Sequence, residues 1–193
     1  MLGSMDTRRG RLIVISAPSG AGKTSIAQAI LAQNKGMRFS ISATTRPRRA
    51  TETEGKDYYF LTKYEFQGRV AAGEFAEWEE IYGEYYGTLR SEIDRAIAAG
   101  ESLVLDVDVK GGLSIKKLYP DALLIFVRPP GVEELFERLR NRHTENSTTL
   151  TRRMERVPME LAMGAKFDRQ VINDVLERAI EEVQEIVQQY IRH

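Results

Sequence analysis

Leu12-Ile13-Val14-Ile15-Ser16-Ala17-Pro18-Ser19-Gly20-Ala21-Gly22-Lys23-Thr24 is the stretch on which the fold turns. Leu12 to Ala17 is a short apolar run closed by Pro18-Ser19-Gly20, which predicts a buried strand. Lys23 to Gln33 follows with Ile26, Ala27, Ile30 and Leu31 at helical spacing. Between the two, Gly20 and Gly22 let the backbone curl so that successive N–H groups point inward, and the helix start adds the positive end of its dipole. Strand, glycine turn and helix in that order are the setting of a phosphate-binding loop, or P-loop. Lys23 is then placed to reach β- and γ-phosphates, and Thr24 offers a hydroxyl to Mg²⁺. The strict pattern carries glycine where this chain has Ala17. A glycine-rich turn with no ligand is the competing reading, and the flanking strand and helix weigh against it.

Outward from this loop, Leu103 to Val107 and Leu123 to Val127 are two more apolar runs of strand length. Each is preceded by a helix-period segment, Leu89 to Ala99 and Gly112 to Leu118. Strands alternating with helices predict a parallel central sheet covered on both faces. The first of these strands ends in Asp106, a carboxylate suited to holding Mg²⁺ or its waters. Between Phe39 and Tyr86 the pattern changes. Arg38 to Ser42 alternates, Tyr58 to Leu61 is aromatic-rich, and Gly83 to Gly87 reads as a turn between short strands. A small mixed or antiparallel insertion follows from this. Pro129-Pro130 opens a helix at Val132 to Arg142, and a second arginine-studded helix spans Thr148 to Met163. A strand at Gln170 to Asn173 leads to a last long helix. Val175, Leu176, Ala179, Ile180, Val183, Ile186, Val187 and Tyr190 are its apolar stripe.

The 193 residues suit one domain with insertions. A hydrophobic share of 42% and a charged share of 29% describe a globular chain. No cysteine is present, which excludes a disulfide framework, a thiolate metal site and a cysteine nucleophile. No apolar run approaches the ~20 residues that span a bilayer, and the N-terminus lacks a signal-peptide stretch, so a cytoplasmic location without membrane contact is expected. Lys+Arg 28 against Asp+Glu 28 gives a net charge of zero, which argues against a polymeric nucleic-acid partner. The zero is a sum of unlike parts. Arg38 to Arg49 carries +4, Arg138 to Arg156 carries +4, and Glu74 to Asp108 carries −8. His143 and His193 are too isolated to suggest a metal or catalytic role.

Five ordered motifs then identify a family. Ser42-Ala43-Thr44-Thr45-Arg46-Pro47-Arg48-Arg49, Gly55-Lys56-Asp57-Tyr58-Tyr59-Phe60, Glu74-Phe75-Ala76-Glu77-Trp78, Tyr85-Tyr86-Gly87-Thr88 and Leu105-Asp106-Val107-Asp108 resemble guanylate kinase, from about Gly10 to the C-terminal helix. Ala17-Pro18-Ser19-Gly20 is acceptable in that family. The resemblance implies an α/β fold, a three-layer P-loop core around a parallel sheet, with a mixed-sheet GMP-binding insertion and a helical lid. It divides the chain into core at 11–37, GMP-binding insertion at 38–90, core at 91–137, lid at 138–163 and core at 164–193. Residues 1–10 read as a flexible arm or a cloning remnant.

The implied reaction moves the ATP γ-phosphoryl group to GMP, giving GDP and ADP with Mg²⁺. Ser19, Gly20, Ala21, Gly22, Lys23 and Thr24 would hold ATP, with Asn173 near the adenine; Thr24 and Asp106 would hold the metal. Arg46 and Arg49 suit a phosphate because guanidinium forks bind it bidentately. By resemblance Tyr58 and Tyr86 donate to the same phosphate. Glu77 would read guanine, since an ionised carboxylate accepts two bonds and matches the N1–H/N2–H edge. Ser42, Thr88 and Asp108 complete that pocket by analogy. The acceptor phosphate is already anionic, so no general base is required; the work is bringing two anions together and stabilising the transferring group. Lys23 with Arg138, Arg142 and Arg153 would do so, while Arg140, Arg152 and Arg156 read as a solvated basic face. Two other readings are a kinase for a ribose phosphate and a catalytically inactive interaction module of the same fold. Monomer and homo-oligomer both stay open.

Overall fold

The computed structural model describes residues 10–81, 83–140 and 147–192. In chain order these form β1 (Leu12–Ser16), α1 (Lys23–Gln33), β2 (Met37–Phe39), β3 (Ala43–Thr44), β4 (Tyr59–Phe60), α2 (Lys63–Ala71), β5 (Phe75–Ile81) and β6 (Glu84–Leu89). They continue with α3 (Arg90–Ala98), β7 (Ser102–Asp106), α4 (Val109–Leu118), β8 (Leu123–Arg128), α5 (Val132–Arg140), α6 (Ser147–Gly164), β9 (Arg169–Ile172) and α7 (Leu176–Arg192). Arg142, His143 and His193 lie outside the described residues, as do residues 1–9 of the N-terminal arm.

A five-stranded sheet runs in the order β2-β7-β1-β8-β9, and a four-stranded one in the order β4-β3-β6-β5. The expected central parallel sheet with helices, together with a separate mixed sheet, is what the chain forms. β1 and β8 pair in parallel with Ile13 opposite Leu123, and β8 and β9 do so with Ile125 opposite Arg169. β1 is buried throughout, which is why it reads as an uninterrupted apolar run rather than an alternating one. No helix among the described residues is long and apolar enough to cross a membrane.

The chain divides into two compact units, one of residues 13–35 and 104–192, the other of residues 10–12 and 36–103. In the first, Ile26 and Ile30 of α1 and Val183 and Val187 of α7 are buried. α1 is tied to α7 by Asn34, whose amide donates to Gln184 at 2.7 Å and whose carbonyl oxygen accepts from Gln188 at 2.5 Å. Val175, expected on the apolar stripe, precedes α7 and is exposed, because the helix begins one residue later. α6 ends tight against the sheet. A Cβ on Gly164 would lie 2.3 Å from the ring of Phe126 in β8. Gly164→Ala is therefore expected to cost about 1–3 kcal/mol through overpacking. Thermal melting checks this, with a loss of about 2–4 °C for each kcal/mol.

The second unit packs Phe66 of α2 on Phe75 of β5, with ring centroids 4.3 Å apart, and on Tyr85 of β6 at 5.4 Å. Ala43 and Leu89 complete this small core. Helix α2 has no counterpart in the hydrophobic pattern. Its signal is Thr62-Lys63-Tyr64-Glu65, a capping box in which the Glu65 N–H donates to Thr62 Oγ1 at 3.1 Å and the Thr62 N–H to Glu65 at 2.8 Å. Gly83 to Gly87, expected as a turn, is corrected as well. Glu84–Leu89 is strand, and Gly83, at φ 82, is the residue that takes the left-handed turn conformation.

Candidate active site

In the unit holding β1 and α1, the loop from Ala17 to Gly22 closes as its sequence requires. Gly20 and Gly22 adopt φ of 90 and 94, and the Ala21 N–H turns back onto the Pro18 carbonyl at 3.0 Å. A residue with a Cβ would be strained at both glycines. Lys23 pairs with Asp106 at the end of β7 and donates to the Val107 carbonyl at 3.4 Å. Thr24 Oγ1 lies 3.4 Å from the other oxygen of Asp106. Ser19, Lys23, Thr24 and Asp106 are thus gathered by two strand ends that lie far apart in sequence. Among the described residues no group of three or more His, Cys, Asp and Glu is arranged to hold a metal through side chains alone.

Helix α6 reaches the same loop. Arg153 of α6 donates to Ser19 Oγ at 2.9 Å, and Arg138 of α5 donates to the Asn173 carbonyl at 3.2 Å. Asn173 is 4% exposed and its amide donates to the Ala21 carbonyl at 2.8 Å. Arg140 and Arg152 are exposed, as expected. Arg156 is not a solvated charge. It lies 3.5 Å from Glu160, one helical turn further along α6, and 3.3 Å from Asp108, the N-cap of α4. Glu160 is buried, its Oε2 has no hydrogen-bond partner, and burial pushes its carboxyl up despite Arg156. Asp108 also caps α4 by accepting from the Gly111 N–H at 2.7 Å.

The other unit holds every expected acceptor residue but Asp108, with Glu77, Tyr86 and Thr88 in the strands of its mixed sheet. Glu77 of β5 and Thr88 of β6 are opposite one another, and the threonine hydroxyl donates to Glu77 Oε1 at 2.7 Å. Ala43 pairs with Gly87, so Ser42 and Thr88 come next along their two chains. The Arg46 guanidinium lies 5.3 Å from the centre of the Tyr58 ring, and Tyr58 meets Tyr86 edge-on at 6.4 Å. Arg49 is exposed. Asp108 belongs to the first unit.

Glu52 and Glu92, neither of them anticipated, organise the basic segment. Arg46 forks onto Glu52 at 2.8 and 3.0 Å, and the Arg49 N–H adds a third bond to that carboxylate at 2.8 Å. These contacts, the Arg46 fork first, hold the Glu52 carboxyl down at about 2. A folded-state value below the ordinary one places the pair's stabilising effect above the usual carboxylate range, with its loss as pH falls through about 2. The carboxyl carbon of Glu52 in an NMR titration is accordingly expected to stay flat through the ordinary glutamate range. Arg38 is engaged elsewhere, with Glu92 at 2.6 Å and Glu101 at 2.7 Å.

A parallel sheet whose first strand feeds a lysine-bearing glycine loop, with a strand-end aspartate beside that lysine and an arginine arriving from α6, defines a P-loop phosphotransferase. Residues 9–190 match the family model for guanylate kinase. The chain is 48% identical over 177 residues to guanylate kinase of Chlorobium luteolum, covering 91% of this chain and 90% of that one. It is 46% identical over 179 residues to guanylate kinase of Thermotoga maritima, covering 93% and 86%. The crystal structure of guanylate kinase from Anaplasma phagocytophilum superposes with a TM-score of 0.73 at 27% identity, covering 94% of this chain and 86% of that one. The chain therefore belongs to the guanylate kinase family. Its activity is that of an ATP:GMP phosphotransferase.

Proposed function

We propose that the chain converts GMP and ATP to GDP and ADP with the residues gathered on its two units. The observation that carries the choice of acceptor is the Glu77–Thr88 pair. A carboxylate held at one oxygen by a hydroxyl keeps acceptor capacity directed at a base edge rich in N–H donors, which is guanine's and not adenine's. Ser42, next before the Ala43–Gly87 pair, adds to this pocket. The GMP phosphate exchanges with Glu52 for Arg46, a guanidinium already oriented for bidentate contact, and Arg49, Tyr58 and Tyr86 complete its shell. Residues 38–90 are in this reading the GMP-binding insertion.

The donor's phosphates lie along the N–H groups from Ser19 to Thr24, with Asn173 behind the loop, and Lys23 transfers its ion pair from Asp106 to phosphate oxygen. Mg²⁺ suits this site. Its donors are a hydroxyl and one carboxylate 3.4 Å apart, and this ion is ordinarily held by one or two carboxylates with substrate phosphates, not by an all-protein cage. When bound, it would offset negative charge on the donor phosphates. Thr24 and Asp106 are the residues that would hold it. Arg138, Arg142 and Arg153, on the lid of residues 138–163, stabilise charge on the transferring group and exclude water, which competes as acceptor. ATP and GMP are cytoplasmic nucleotides, so the enzyme acts in purine nucleotide metabolism in the cytoplasm. An inactive interaction module would have no use for Lys23, Thr24 and Asp106 in this mutual arrangement.

A coupled ADP-release assay with GMP, AMP, UMP and ribose phosphates tests the reading. A preference for GMP that depends on added Mg²⁺ is expected. Equal use of all acceptors would remove the guanine assignment, and activity undiminished in a chelator would remove the metal.

A further inference from the structure

Asn173 meets three parts of the molecule at once. Its backbone N–H donates to the Arg128 carbonyl at 2.8 Å, which anchors it to the end of β8. Its carbonyl accepts from Arg138 at 3.2 Å. Its carboxamide donates to the Ala21 carbonyl at 2.8 Å, a buried bond, and fills the space over Gly22, where an added Cβ would lie 2.3 Å from the amide nitrogen. The Ala21–Gly22 peptide is trans, so a carbonyl held toward Asn173 forces the Gly22 N–H to point the opposite way.

We propose that Asn173 is a positioning residue for the phosphate-binding loop: it acts on the donor through the Ala21–Gly22 peptide that its carboxamide locks. This rests on the reading of that loop as the donor's phosphate cradle. Flipping the peptide would turn a carbonyl toward the bound phosphates and withdraw one N–H donor. Burial explains why an amide does this work, since a buried carbonyl without a donor is costly. The same residue sets the loop and receives Arg138, so cradle and arginine share one reference point on the sheet.

The primary variant is Asn173→Asp, which keeps the volume and loses the donor. An aspartate could still accept from the amino group of adenine, so the two roles separate. kcat/KM is measured for ATP and for inosine triphosphate, which has a carbonyl in place of that amino group. The expected result is a fall of about tenfold for both donors by the same factor, the size of leaving one buried carbonyl unpaired, with KM for GMP within about twofold of wild type. A changed ratio between the donors would overturn the proposal in favour of an adenine contact, and unchanged values for both would overturn it outright. Asn173→Ala, checked by thermal melting, gives the same comparison if the aspartate fails to fold. Lys23→Ala separates the two failures. If it too keeps normal donor kinetics, the cradle reading falls; if it alone loses them, only the role of Asn173 does.

Discussion

Lys23→Ala is expected to lower kcat by about 10³-fold while leaving the dissociation constant for GMP within about twofold. The ammonium stands at the head of α1, and its partner Asp106 holds it at the strand end where the phosphates of a bound donor would arrive. Removing it takes away a charge that grows in importance as negative charge builds on the transferring oxygens, so the loss falls on turnover more than on binding. The change lies outside the unit that carries Glu77 and Arg46. Steady-state kinetics beside calorimetric GMP binding read both quantities. Near-normal turnover would remove Lys23 from the reaction.

Glu77→Gln is expected to lower kcat/KM for GMP by about 10²–10³-fold, with KM for ATP within about twofold. Thr88 donates to one oxygen of Glu77, so a glutamine keeps that bond through its carbonyl and turns its NH₂ toward the ligand. A donor then faces the N–H donors of guanine. The site changes from a match to a repulsion at one atom, which is how a binding pocket built on hydrogen bonds discriminates strongly. AMP should lose less, and the ratio of GMP to AMP use is the decisive number. An unaltered acceptor profile would take Glu77 out of the base pocket.

Much of the fold is legible without coordinates. Helix α1 runs from Lys23 to Gln33 as its spacing predicts, and β1 and β8 follow from their apolar runs. The helix is buried on a regular period and the two strands almost throughout, so their hydrophobic pattern marks them. α2 escapes that reading because its one buried residue is Phe66, and only its capping box announces it. Gly83 to Gly87 reads as a turn because its two glycines and two tyrosines mask the start of a strand, Glu84–Leu89, paired on both edges. The charge sums misdirect too. Arg38 and Arg46 contribute to a +4 segment, yet each is committed to a glutamate outside it. Charge totals count side chains and say nothing of their partners.

Sequence by itself determined the phosphate-binding loop, the alternation that makes a parallel sheet, and the family, because each is written in residues adjacent or regularly spaced along the chain. Tertiary structure alone decided the rest. The pairing of β5 with β6 sets Glu77 opposite Thr88, in the register that runs unbroken from Ile81 and Glu84. Arg156 leaves solvent for Asp108 and Glu160. Asn173 lies against Ala21 across 152 positions. Local spacing encodes local geometry; which groups meet over such separations is settled only when strands pair and helices pack, since burial then obliges each polar atom to find whatever partner the fold brings near.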